Sequence, residues 1–187
     1  QKQESERLKM CGIVGYIGPR EVVPLLIDGL RRLEYRGYDS AGVAVVADGG
    51  LETRRAEGKL DRLVERLRAQ PLSGSYGVAH TRWATHGKPT ERNAHPVVDS
   101  KNRIAIIHNG IIENFLVIKR RLLAEGWTFA TDTDTEVIAN LVSSYYAGDL
   151  AAAVKRAVGE LEGMYACALI GTESTLGDDE EIVAVRQ

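Results

Sequence analysis

From residue 11 onward, short apolar runs alternate with segments in which apolar residues recur every three or four positions. Residues 11–17 (CGIVGYI) form a compact apolar run closed by Gly18-Pro19, the pattern of a buried strand. Val22, Leu26, Leu30 and Leu33 follow at helical spacing. Residues 42–47 and 51–57 flank Asp48-Gly49-Gly50, which predicts a hairpin. Leu60, Leu63, Val64 and Leu67 predict a second helix. Residues 78–82 and 104–109 read as strands. Ile111, Phe115, Ile118 and Leu122 predict a third helix. Val137, Leu141 and Tyr145 predict a fourth, opened by Thr133-x-x-Glu136, a capping-box pattern. Leu150, Val154, Ala157 and Leu161 predict a fifth, and residues 165–170 and 181–186 read as closing strands. Helices come singly and in pairs between short strands, unlike a regular βαβ series. The order favours antiparallel sheet covered by helices, an α+β fold.

Composition narrows the class. The chain has 187 residues, 44% of them hydrophobic and 27% charged, which suits one globular domain with a sizeable core. Residues 1–9 (QKQESERLK) are polar and charged and read as a disordered leader or cloning remnant. A net charge of -2 makes no electrostatic case for nucleic acid or an anionic membrane. The apolar runs are too short to span a bilayer. Two cysteines, Cys11 and Cys167, do not make a disulfide-built scaffold, so a reduced, cytoplasmic protein is expected.

The chemistry gathers in four segments. Cys11 follows Met10 and precedes Gly12. Were Met10 the start, its removal would leave cysteine N-terminal. An α-amine with a pKa of about 7.7–8.0 can then act as base for its own thiol. Cys167, inside an apolar strand, reads as core. The segment His80-Thr81-Arg82-Trp83-Ala84-Thr85-His86-Gly87 runs from a strand end into a loop, where an arginine can grip a carboxylate through two parallel hydrogen bonds. His80 and His86 also invite a metal reading, but no Cys pair or His-Glu-x-x-His accompanies them, and His95 and His108 add no ligand spacing; no metal is expected. His108-Asn109-Gly110 follows a strand. By itself Asn-Gly reads as a turn. Its functional alternative is an oxyanion hole, made by the Asn109 side-chain amide and the Gly110 backbone N–H. Residues 131–136 (TDTDTE) open a helix, and a carboxylate there could also meet a substrate ammonium.

Taken together, Cys11-Gly12-Ile13-Val14-Gly15, His80–Gly87, His108-Asn109-Gly110 and Thr133-Asp134-Thr135-Glu136, in this order, resemble the class II glutamine amidotransferases, whose nucleophile is an N-terminal cysteine. The resemblance covers residues 10–187. Residues 33–42 (LEYRGYDSAG) and Asn109-Gly110-Ile111-Ile112-Glu113-Asn114 look like the branch that makes glucosamine 6-phosphate from fructose 6-phosphate.

The resemblance implies a four-layer α/β/β/α sandwich of mainly antiparallel sheets, the N-terminal nucleophile hydrolase type. It implies that Cys11 attacks the side-chain amide of glutamine, that Asn109 and Gly110 hold the oxyanion, and that Arg82 and Asp134 bind the α-carboxylate and α-ammonium. Trp83, Thr85, His86 and Gly87 would belong to a loop closing over glutamine, and Arg36 and Asp39 would organise the surroundings of the nucleophile. No metal or organic cofactor is implied. The sugar-phosphate isomerase domains of that branch, where fructose 6-phosphate binds, are absent from these 187 residues, and the full-length protein is expected to be a homodimer. Two alternatives stand beside this reading. One is the glutaminase domain of another class II amidotransferase. The other is a glutamine-binding module, silent because the leader blocks Cys11.

Overall fold

A computed structural model describes residues 11–84, 87–172 and 181–187, apart from the side chain of Arg36. The leader of residues 1–9, together with Thr85 and His86, lies outside the described residues. Four strands form the first sheet: β1 (Gly12–Ile17), β2 (Ser40–Ala47), β3 (Gly50–Glu57) and β4 (Tyr76–Arg82). Their spatial order is β1-β4-β2-β3, and every pair is antiparallel. The β2–β3 hairpin closes through Asp48 and Gly49, both at positive φ (50° and 73°), the two-residue turn whose twist matches the strands it joins. Helices α1 (Val22–Leu33) and α2 (Leu60–Ala69) cover this sheet.

A second antiparallel sheet has the order β5-β6-β7-β8, with β5 at Val97–Val98, β6 at Ile104–Ile112, β7 at Gly163–Gly171 and β8 at Ile182–Arg186. Helices α3 (Phe115–Ala124), α4 (Asp134–Tyr145) and α5 (Leu150–Val158) pack against it.

Strand alternation divides the core into three layers. Along β2, Ala41, Val43 and Val45 face α1 and α2, while Ala44 and Val46 face the other sheet. Along β6, Ile104 and Ile106 face α4, while Ala105 and Ile107 meet Ala44 and Val78 between the sheets. A fully buried Leu or Ile contributes about 1.5–3 kcal/mol, and three of the helices supply a pair each: Leu26 and Leu30 of α1, Leu60 and Leu63 of α2, Ile138 and Leu141 of α4. The result is the four-layer α/β/β/α sandwich.

Three details depart from the sequence reading. Ile111 belongs to β6 and not to a helix, because β6 stays paired with β7 through Ile112↔Gly163. Leu161, although buried, lies beyond the end of α5. The capping box is half formed: Thr133 Oγ1 accepts from Glu136 N at 3.4 Å, but the Glu136 carboxylate reaches further back, to the N–H groups of Ala130 and Thr131 at 2.7 and 2.6 Å.

Candidate active site

The alternation that fills the core also aims the site. In β4, Val78 points between the sheets, so His80 and Arg82, two and four residues on, do so as well. In β6, Ile107 points there, and so does Asn109. In β1, Ile13 lies opposite His80, and Cys11 precedes it by two. Cys11, Arg82 and Asn109 therefore converge where the two sheets face each other, just beyond the start of β1 and at the end of β4.

Contacts bear this out. Trp83 N–H donates to Cys11 Sγ at 3.1 Å, and the thiol lies 3.6 Å from the Trp83 carbonyl oxygen. Asn109 Nδ2 donates to the Cys11 carbonyl oxygen at 3.2 Å. Gly12 fits between Thr81 and Leu33, where an added Cβ would come within 2.7 Å of each. Burial raises the Cys11 thiol pKa, although the Trp83 hydrogen bond and the nearby Arg82 charge pull it down. The thiol is protonated near neutrality and needs a base to become a nucleophile.

Arg82 is 3% exposed. Burial lowers its pKa, opposed by Asp39, Cys11 and Asp134, so these four groups share one electrostatic neighbourhood. Asp134 opens α4, and its Oδ2 accepts from Ile112 N at 3.0 Å, fastening the helix to β6. Asp39 Oδ2 accepts from Ala84 N at 2.7 Å, and Asp39 N donates to the Arg82 carbonyl at 2.8 Å, which fixes the path of the chain just after β4. A guanidinium and a carboxylate held in this neighbourhood can together take the two ends of an amino acid.

Gly110 sits inside β6 at a φ of +121°, and its added Cβ would lie 2.2 Å from the Met164 carbonyl oxygen. Asn109-Gly110 is thus a strand segment whose second position admits only glycine, not a turn. Gly87 (φ +77°) packs against Asn93, whose Nδ2 donates to the Lys88 carbonyl at 3.1 Å and whose Oδ1 accepts from Asp132 N at 3.0 Å. Asn93 so ties the loop after β4 to the segment before α4. Thr85, His86 and the Arg36 side chain fall outside the described residues. A cavity of about 560 Å³ opens beside Cys11 and Asn109, with Ile13, Leu33, Ala184 and Arg186 among its other walls.

The sequence reading left three histidines without a task. His80, His95 and His108 are all buried, and they join through short contacts: the His80 and His95 ring centroids are 4.6 Å apart, and Thr135 Oγ1 lies 3.0 Å from His95 Nε2 and 2.9 Å from His108 Nδ1. Among the described residues no group of three His, Cys, Asp or Glu side chains is placed to hold a metal ion. The sequence sign of this cluster is the polarity of His80 and His108 within apolar strands; His95 lies in the loop before β5 and carries no such sign.

Comparison with known proteins now decides the family. The profile of the glutamine amidotransferase domain family matches residues 80–186. The chain belongs to that family. It is 47% identical over 178 residues to the glutamine–fructose-6-phosphate aminotransferase (isomerizing) of Clostridium tetani, covering 95% of this chain and 29% of that protein. It is 52% identical over 177 residues to the enzyme of the same name from Symbiobacterium thermophilum, covering 95% and 28%. The chain thus spans less than a third of the length of these curated relatives. Among solved structures, it resembles the glutamine phosphoribosylpyrophosphate amidotransferase of B. subtilis with a TM-score of 0.73 and 27% identity, over 86% of this chain and 35% of that one. No helix among the described residues is long and apolar enough to cross a membrane.

Proposed function

We propose that residues 10–187 are a glutaminase domain in which Cys11, once its α-amine is free, hydrolyses the side-chain amide of glutamine. The observation that carries this is the convergence on Cys11 of Asn109 from the second sheet and Trp83 and Arg82 from the first. The α-amine of Cys11 takes the thiol proton, and Sγ attacks the amide carbon. Negative charge gathers on the amide oxygen, where the second N–H of Asn109 Nδ2 and the Gly110 N–H stabilise it. The C–N bond breaks as the protonated α-amine returns its proton to the departing nitrogen, giving ammonia and a γ-glutamyl thioester. Water then attacks the thioester and glutamate leaves, restoring the thiol. Arg82 holds the substrate carboxylate and Asp134 its ammonium. Trp83, Thr85, His86 and Gly87 close over the bound amino acid, with Arg36 and Asp39 steadying the nucleophile's side of the site. No step requires a metal or organic cofactor.

The names of the relatives at 47–52% identity support a destination for the ammonia: fructose 6-phosphate, held by isomerase domains elsewhere in a longer protein. The proposal includes a homodimeric, cytoplasmic full-length protein.

The test uses the full-length protein processed to Cys11, with the N-terminus confirmed by mass. Cys11→Ala should abolish glutamate release, and Cys167→Ala should leave the rate nearly unchanged. A diazoketone analogue of glutamine should label Cys11 alone, because apolar burial pushes the Cys167 thiol up to about 12. Labelling at Cys167, or normal turnover by Cys11→Ala, would overturn the assignment.

A further inference from the structure

We propose that His80 is a positioning residue of the oxyanion hole: its Nε2–H fixes the orientation of the Asn109 carboxamide. The inference rests on the reading of Asn109 as an oxyanion donor and extends it. His80 Nε2 lies 2.7 Å from Asn109 Oδ1, while Asn109 Nδ2 donates to the Cys11 carbonyl oxygen at 3.2 Å. That carbonyl can only accept, so the amide nitrogen must face it, and the amide oxygen must face His80. The oxygen in turn needs a donor, which assigns the Nε2–H tautomer to His80. One amide N–H is occupied by Cys11 O, leaving the other to be aimed by whatever fixes the plane of the amide. With the plane free to turn over, the carboxamide would offer its oxygen where the oxyanion forms.

The ring is built to hold still. His80 is fully buried, and its ring packs against that of His95 with centroids 4.6 Å apart. His95 Nε2 is anchored on Thr135 Oγ1 at 3.0 Å, which ties the stack to the first turn of α4. Burial drives the His80 pKa down to about 3, with the His108 and Arg82 charges acting in the same direction and the Asn109 hydrogen bond opposing. The imidazole is neutral and keeps one N–H and one bare nitrogen. A donor preset in this way costs no reorganisation when the oxyanion appears.

The experiment is a double-mutant cycle on the processed full-length protein, with glutamine hydrolysis as readout. His80→Phe keeps a buried ring but deletes the donor; His80→Gln keeps an amide N–H. His80→Phe should lower kcat by about 10–100-fold, less than the ~10²–10³-fold expected for Asn109→Ala. The KM for glutamine should hold within about threefold, because the charge exists only in the transition state. His80→Gln should recover part of the rate. In the Asn109→Ala background, His80→Phe should cost no more than about twofold further, the signature of a residue acting through Asn109.

Full additivity in the double variant, or a wild-type kcat for His80→Phe, would overturn the inference while leaving the glutaminase reading intact. An undiminished kcat for Asn109→Ala would remove the oxyanion reading and this inference with it. A third measurement needs no variant. The imidazole nitrogen shifts of ¹⁵N-histidine-labelled protein should show His80 protonated at Nε2 and bare at Nδ1, and the opposite tautomer would refute the assignment.

Discussion

Cys11 and Cys167 are chemically the same side chain in different surroundings. Cys167 sits among the apolar residues beneath α4 and α5, where burial alone holds its proton. Cys11 is also raised by burial, but it has an N–H from Trp83 at hydrogen-bond distance and the Arg82 charge nearby. The same burial acts oppositely on the histidines. His80 and His95 are held neutral, His80 at about 3 and His95 well below the ordinary value, with desolvation the largest cause for both. The unfolded chain binds protons on these groups below about pH 6.5 and the folded chain does not, so stability is lost as pH falls from 6.5 towards the folded pKa. For His80 alone the loss between pH 6.5 and pH 5 is about 2 kcal/mol, and His95 adds to it. Unfolded carboxylates titrate mostly below that window. Urea unfolding at pH 7.5, 6.0 and 5.0 should show the decline, and a free energy flat across this range would contradict neutral burial of the pair.

At the scale of elements, the chain contains two glycine-bearing pairs that look alike in sequence, Asp48-Gly49 and Asn109-Gly110. Only the first is a turn. Gly49 has open space where a Cβ would stand, so Gly49→Ala should cost only about 1 kcal/mol for its left-handed backbone. Gly110 lies within β6, with the β7 backbone 2.2 Å from the added Cβ, so Gly110→Ala must push two paired strands apart. A loss above about 3 kcal/mol is expected, from backbone strain and overpacking together. Denaturant midpoints of the two variants measure the contrast, and equal losses would show that Gly110 is not locked in the ladder.

Period and punctuation located α1, α2, α4, the β2–β3 hairpin and the strands that lead into Cys11, Arg82 and Asn109. They misplaced Ile111, because i, i+4 and i+7 spacing to Phe115 and Ile118 fits a helix as well as a strand running into one. They missed β5, because two residues, Val97 and Val98, are too few to show alternation. The link from His80 to Asn109 spans 29 residues and that from His95 to Thr135 spans 40, and both depend on how the layers pack.

Across the whole molecule, the sandwich places Cys11, the proposed nucleophile, just before β1 of one sheet and Asn109 in β6 of the other, so the proposed site exists only when both sheets are stacked. That geometry gives the nitrogen of Cys11 a task only if it is an amine. In the present sequence Cys11 follows Met10, so its nitrogen belongs to a peptide bond. The lone pair of an amide is delocalised into the carbonyl and is not a usable base near pH 7. Burial has meanwhile raised the thiol pKa, so self-ionisation cannot substitute for the missing base. Asn109 and Gly110 would stand ready for an oxyanion that no nucleophile generates. The 187-residue form should therefore bind glutamine through Arg82 and Asp134 yet release almost no glutamate. A chain beginning at Cys11 should turn over. The two forms are to be made side by side, their N-termini verified by mass, and glutamate release compared at pH 7.5, with binding followed separately by calorimetry. A protein with the Met10–Cys11 bond verified as intact and full hydrolytic activity would defeat the α-amine mechanism. Equal binding with activity only in the processed form would locate the effect in the chemistry and not in the pocket.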